Sequence, residues 1–293
     1  VLVLALMAAW TGLRLIFGLP AAFSGFLRAR RNAKGYAALS RGMIAVGAGD
    51  DKQALRAAEQ ARRILGSEPM TLLLQAQTAQ LAGDAKAARR SFEEMLASPE
   101  TEILGLRGLF IEAQRAGDRA AMQGFAERAL RLHPGTGWAA TAVFDMQCAQ
   151  GDWDGALATL AANQSNAIVD KSQARRKRAV LLTAKALELE HGARDKAREL
   201  AQEAFNLAND LVPAAALAGR LIAEEGNVRK AARLLEKAWK ALPHPEIAEA
   251  YINVRSGDST RDRLKRMRAL AARLPGEREG ALAVAGAAID ARD

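Results

Sequence analysis

The chain has 293 residues, 50% of them hydrophobic but only 5% aromatic, with one cysteine and a formal charge of +9 from 42 basic and 33 acidic side chains. A composition rich in alanine, leucine and arginine and poor in β-branched and aromatic residues favours helix throughout, and a lone cysteine excludes an internal disulfide framework and a multi-cysteine zinc site. The length exceeds what one small core organises, so either two domains or an elongated stack is expected, and the basic excess points to nucleic acid or an anionic membrane, between which the positions of the charges must decide.

At the amino end, residues 1–13 carry no charge, Arg14 interrupts, and residues 15–27 are again uncharged and include Pro20. A transmembrane helix needs about 20 apolar residues, and thirteen span only about 20 Å. Residues 1–13 therefore read as part of a transmembrane helix that begins before Val1, with Arg14 near the interface and residues 15–27 along the membrane surface. Arg28, Arg30, Arg31 and Lys34 follow at once. Under the positive-inside rule this flank and all that follows stay cytoplasmic, and each such charge adds about 1 kcal/mol of attraction to an anionic leaflet. A secretory signal peptide would carry its basic residues before the apolar run. Residues 1–34 are read as a membrane anchor with a basic flank.

Beyond it the chain is periodic. Gly49-Asp50, Gly83-Asp84, Gly117-Asp118 and Gly151-Asp152 recur at intervals of 34, and Gly192-Ala193, Gly226-Asn227 and Gly257-Asp258 continue the series at 41, 34 and 31. Glycine supplies the left-handed residue that closes one helix, and Asp or Asn caps the next. Five residues after the glycine stand Ala54, Ala88, Ala156, Ala197 and Ala231, with Met122 and Asp262 departing; twelve after it stand Ala61, Ala129, Ala204, Ala238 and Ala269, with Met95 and Asn163 departing. Small side chains at these points let paired helices approach closely. Two helices per 34 residues, with Pro134 and Pro243 at closing positions, resemble the tetratricopeptide repeat. The expected fold is all-α: a right-handed solenoid of helical hairpins in seven pairs, preceded by a partial transmembrane helix. An eighth corner would fall at Ala291–Asp293, so the stack is expected to continue past it.

The 41-residue interval holds seven extra residues near the polar run Asn163-Gln164-Ser165-Asn166, which divides the repeats into residues 35–165 and 166–293. A long helix over about 167–190 then carries Lys171, Arg175, Arg176, Lys177 and Arg178. Five bases in eight positions point around the helix and cannot all pair with neighbours on it. They read as a solvated face at the junction of two half-solenoids or as a docking patch for an acidic partner, an anionic ligand or lipid. Arg261, Arg263, Lys265, Arg266, Arg268 and Arg273 form a second patch, read as a solvated face. Nucleic acid is set aside as a partner: neither patch has a reader motif or aromatic residues between its charges to stack bases.

Nothing in the sequence forms an active site. His133, His191 and His244 each stand at a helix end, outside any metal-ligand spacing. Cys148 reads as a small apolar core residue, and Gly47-Ala48-Gly49 lacks a third glycine for a dinucleotide loop. No catalytic, metal or cofactor residue is assigned, and the chain reads as a non-enzyme. Some tetratricopeptide proteins grip a C-terminal carboxylate with a Lys/Asn clamp. The corresponding positions here are Leu39 and Met43, Leu73 and Gln77, then Arg107 and Ile111, so the clamp is missing and the more apolar groove favours an amphipathic partner.

The segments Arg41–Val46, Arg178–Ala184, Trp239–Pro245, Ala248–Tyr251 and Ala288–Asp293, set behind a membrane anchor and a basic flank, resemble the HemY family of proteobacterial inner-membrane proteins. The resemblance implies a cytoplasm-facing tetratricopeptide scaffold at the bacterial inner membrane that binds proteins, haem-biosynthesis enzymes among them, and is linked to late haem and porphyrin synthesis. The unrelated flavin-dependent oxidase that shares the name would need the dinucleotide fingerprint that is missing here. The alternative is a general inner-membrane adaptor for envelope assembly or secretion machinery.

Overall fold

The structure, a computed structural model, describes residues 26–292. The expected transmembrane segment and all but Phe26 and Leu27 of the interfacial one lie outside the described residues. Among those described, no helix is long and apolar enough to cross a membrane. All regular structure among them is helical: α1 (26–48), α2 (Asp51–Leu65), α3 (Pro69–Leu81), α4 (Ala85–Met95), α5 (Glu102–Ala116), α6 (Arg119–Leu132), α7 (Gly137–Gln150), α8 (Trp153–Ser165), α9 (Lys171–Leu189), α10 (Arg194–Leu207), α11 (Val212–Glu224), α12 (Val228–Ala241), α13 (Pro245–Ile252), α14 (Thr260–Ala271) and α15 (Arg278–Ala291). The seven expected pairs are α1/α2 through α13/α14, and α15 follows them.

The four Gly-Asp corners share one local chemistry. Gly49, Gly83, Gly117 and Gly151 have φ of 72–74°, a backbone that costs side-chain-bearing residues but not glycine. The next residue's N–H reaches back to a carbonyl of the helix just ended, those of Asp50, Asp84, Asp118 and Asp152 donating to Ala45, Ala79, Ala113 and Gln147 at 2.9 Å. Each Asp side chain then caps the following helix by accepting from the N–H of Gln53, Ala87, Ala121 or Gly155 at 2.9–3.0 Å. Closure and capping together satisfy polar groups that both helix ends would otherwise leave open, with each cap contributing about 1 kcal/mol. The corner at Gly192 differs: its φ is not positive, α9 ends at Leu189 with Glu190 as its C-cap, and Ala193 caps α10 without a side-chain bond. The 41-residue interval thus ends at a corner that lacks both the positive φ and the side-chain cap. Its extra residues lengthen α9 to 19 residues, against 13 in α11.

The chain forms two compact units, Val1–His133 and Pro134–Asp293. The sequence reading placed the division at 165/166. The polar run there is the end of α8, which packs on both α7 and α9, so it is a turn inside the second unit. The boundary lies instead at Pro134, behind α6.

In the first unit, Ala38, Ala58, Ala61 and Leu74 close the contact of α1, α2 and α3, while Leu72, Ala88, Phe92, Met95 and Leu109 close that of α3, α4 and α5. In the second unit the core centres on Trp239, fully buried among Leu235, Ile247, Met267 and Leu270. The alanines expected at the close-packing points are fully buried at 54, 61, 88, 129, 156, 197, 204, 231 and 238. Ala269 is exposed, and Leu270 is buried in its stead. The cause is the cap: at the last corner Ser259, one residue later than the usual Asp position, accepts from Asp262 N, and the helix register moves with it. A further small position went unread in the sequence: a Cβ on Gly219 would lie 2.6 Å from Leu235 Cδ2, so glycine is what lets α11 and α12 meet at that point.

Polar ties one repeat apart supplement the cores. Arg62 pairs with Glu94 at 3.0 Å, Gln80 donates to Glu112 at 2.7 Å, and Trp153 Nε1 donates to Glu188 at 2.6 Å.

Candidate functional site

Helices α9, α11 and α13 pack successively, α11 touching both others, and their shared face forms an open groove of about 660 Å³. Its volume falls in the range that accepts a drug-sized ligand or several side chains of a peptide. From α11 come Pro213, Ala216, Leu217 and Ala223, and Leu187 of α9, 46% exposed, forms one apolar shoulder. The alanines keep the floor shallow, so an incoming backbone can come close.

The rim is charged. Arg220 of α11 bonds Glu190 at the end of α9, and this pairing holds the Glu190 carboxyl below its usual range and the Arg220 guanidinium above its own. Glu224 pairs with Arg194 of α10. On α13, Glu246 and Glu249 face the same groove; both are exposed, and their side chains have no ion pair among the described residues. The spacing of three puts them on one side of the helix, with Asn253 a turn further on. Within a chain of net charge +9, this groove is locally acidic.

Sequence reasoning did not find this site, although the signal was present. Carrying the corner alignment used for Leu39/Met43 into the sixth pair gives Ala216 and Arg220, both in the groove. In the first unit Leu39, Met43, Leu73, Gln77 and Ile111 are half-buried and Arg107 is exposed. Thirteen residues before each corner, Tyr36, Met70 and Leu104 are 50%, 46% and 38% exposed.

The basic cluster on α9 is largely engaged in packing. Arg176 binds both carboxylate oxygens of Asp210 at 2.5 Å, Arg178 pairs with Glu203 at 2.7 Å, and Arg175 donates to the Asn206 carbonyl at 3.2 Å. Lys177 Nζ lies 5.0 Å from the centroid of the Phe144 ring, a cation–π contact. Four of the five bases thus have neighbours, contrary to the expectation from spacing along one helix, because the partners come from α7, α10 and the turn after α10. Lys171 is exposed. Little free charge is left for docking there. In the second patch Arg266 bonds Asp258 and the Ile252 carbonyl, and Arg273 pairs with Glu236 at 3.1 Å. Glu236 also accepts from Tyr251, whose hydroxyl is pushed up to about 12 by burial and by that bond.

The flank at 28–34 is the opposite case. Residues 26–34 are helical and exposed at every position, and burial in α1 begins only at Gly35. Arg28, Arg30, Arg31 and Lys34 have no ion pair among the described residues. The helix carries them up to about 10 Å beyond the packed part of the first hairpin.

The remaining candidates have structural roles. His244 caps α13, its Nδ1 accepting from Glu246 N at 3.2 Å, while His133 and His191 are exposed. Cys148 packs beside Ala156, Leu160 and Leu181, and burial pushes its thiol up.

The structure is similar to a chain of Naa15/Naa10 bound to HypK-THB, at 17% identity and a TM-score of 0.56, over 87% of this chain and 39% of that one. It is also similar to a tetratricopeptide repeat protein from Parabacteroides merdae (12% identity, TM-score 0.43, 86% of this chain and 98% of that one) and to the TPR2AB domain of yeast Sti1 in complex with pHSP90 (13%, 0.36, 76% and 99%). The chain therefore spans well under half the length of the first of these. The fold is a tetratricopeptide-like stack of helical hairpins. No curated protein matches the sequence. Residues 1–83 match the family described as HemY protein N-terminus, so the amino-terminal part of the chain is similar to that family.

Proposed function

We propose that the protein is a membrane-tethered scaffold, not an enzyme, that holds proteins of late haem and porphyrin synthesis at the bacterial inner membrane, with its repeats on the cytoplasmic side. The observation that carries the scaffold reading is the groove of α9, α11 and α13, whose open form, small-residue floor and charged rim suit an extended or helical segment of a partner. Tethering is supported by the unpaired basic helix at 28–34, directly after the apolar stretch of residues 1–27. The link to haem is supported by the match of residues 1–83 to the family described as HemY protein N-terminus. The test is deletion of the gene with quantification of porphyrin intermediates and haem. Accumulated intermediates, restored to normal by the intact gene, are expected; unchanged porphyrin and haem levels refute the assignment.

A further inference from the structure

The groove has a sign, and that sign specifies a partner. On its α11 side the charges are already compensated: Glu190 by Arg220 and Glu224 by Arg194. On its α13 side Glu246 and Glu249 are exposed, adjacent on one helix face and without an ion pair among the described residues; Arg220, which lines the same groove, is tied to Glu190. Two like charges a turn apart repel each other, and a cation placed between them relieves that repulsion while gaining two charge-assisted hydrogen bonds. Opposite them stand Leu187, Ala216 and Ala223, which offer apolar contact but no donor. An occupant that satisfies both walls carries Lys or Arg on one side and small apolar side chains on the other.

We infer that this groove receives a basic amphipathic helix of a partner protein, its cations on Glu246 and Glu249 and its apolar face on Leu187, Ala216 and Ala223. Charge also provides discrimination. The rest of the chain is cationic, so a basic helix is disfavoured elsewhere on the surface and drawn to this groove, whereas an acidic one meets repulsion within it. This inference rests on the scaffold reading and adds to it the chemical class of the partner.

The experiment uses the full chain in nanodiscs of zwitterionic lipid, so that the lipid attracts neither probe by charge. It is titrated with a fluorescent amphipathic helical peptide of alanine, leucine and lysine, and with a twin in which glutamate replaces lysine, read by anisotropy. The lysine peptide is expected to bind at least tenfold more tightly than its twin, with an affinity that falls as salt rises. In Glu246→Gln/Glu249→Gln, both exposed positions, the preference is expected to vanish. Ala216→Trp, which fills the floor, is expected to weaken the lysine peptide at least tenfold. Equal binding of the two peptides, a preference that survives the double substitution, or indifference to Ala216→Trp each overturns the inference. Failure here leaves the porphyrin measurement free to support a scaffold with another partner class, and unchanged porphyrin levels beside a positive titration remove the haem assignment alone.

Discussion

Two basic clusters of this chain look alike as text and differ as matter. Arg28, Arg30, Arg31 and Lys34 put four charges in seven positions, and Lys171 with Arg175–Arg178 puts five in eight. The first lies on a stretch of helix with no buried residue and no ion pair among the described residues. In the second, Arg176, Arg178, Arg175 and Lys177 are tied to Asp210, Glu203, Asn206 and Phe144. What separates them is the neighbouring helices of the stack. A helix followed by a packed neighbour bearing carboxylates spends its cations on the stack, whereas one that projects past the stack keeps them for an external surface.

The largest consequence of that difference concerns membranes. Replacing Arg28, Arg30, Arg31 and Lys34 together by Gln is expected to remove about 4 kcal/mol of attraction to anionic lipid, at about 1 kcal/mol per charge. Partition of the full chain between anionic and neutral vesicles reads this as a ratio, in which the contribution of the apolar residues 1–27 cancels. The ratio should fall by two to three powers of ten, roughly what that energy predicts, with the unfolding midpoint unchanged. A ratio that stays put would place the attraction elsewhere, on Lys171 or Arg261 first of all.

The second cluster depends on the seat of α10, whose Ala197, Ala201 and Ala204 are fully buried. Ala204→Leu inserts bulk where there is no room, a change that costs about 1–3 kcal/mol, and it moves the helix that presents Glu203. The urea midpoint should drop accordingly. A neutral outcome would mean that α10 is held by something other than close packing at that alanine.

Both clusters also show where sequence stops informing. The corners were legible because their chemistry is local: glycine, the following Asp and the N–H it caps lie within five residues of one another. The pairs, and the small residues at 54, 88 and 204, follow from that register. The partners of Arg176 and Arg178 were not legible, because Asp210 and Glu203 are 34 and 25 residues away on another part of the stack and become neighbours only once α9 and α10 are folded together. Ala269 misled for a related reason: the period counts from the glycine, but the helix counts from its cap, and Ser259 moved the cap. The acidic groove stayed hidden because Glu246 in the first turn of α13 is already explained by the helix dipole; only the packing of α11 against α13 gives it a cavity to face.

A smaller effect is expected from Arg176→Ala/Arg178→Ala. Both pairs are about half exposed, and exposed ion pairs contribute about 0–1 kcal/mol each. The double variant should therefore lose no more than about 2 kcal/mol by urea unfolding and leave the anionic-to-neutral vesicle ratio unaltered. A tenfold fall in that ratio would show that the cluster reaches lipid despite its ties, and the contrast with the flank would collapse.

The finest distinction is one of pH. The hydrogen bond from Arg176 holds the Asp210 carboxyl below its ordinary value, burial opposing it only in part. A carboxylate with a depressed folded-state pKa contributes stability above its unfolded value, near 3.9, and loses that contribution as the pH falls through the folded value. Asp210→Asn should therefore be slightly less stable than the parent at pH 6, with the gap closing as the pH drops below about 4, followed as the difference between the two urea midpoints. Because the pair is exposed the gap will be small, and its pH dependence is more informative than its size. An ion pair that contributes to the stack gives a gap that closes in acid, whereas a gap of constant size from pH 6 to 3 would assign the cost of Asp210→Asn to the turn after α10 and leave Arg176 as free to act outside the stack as Arg28.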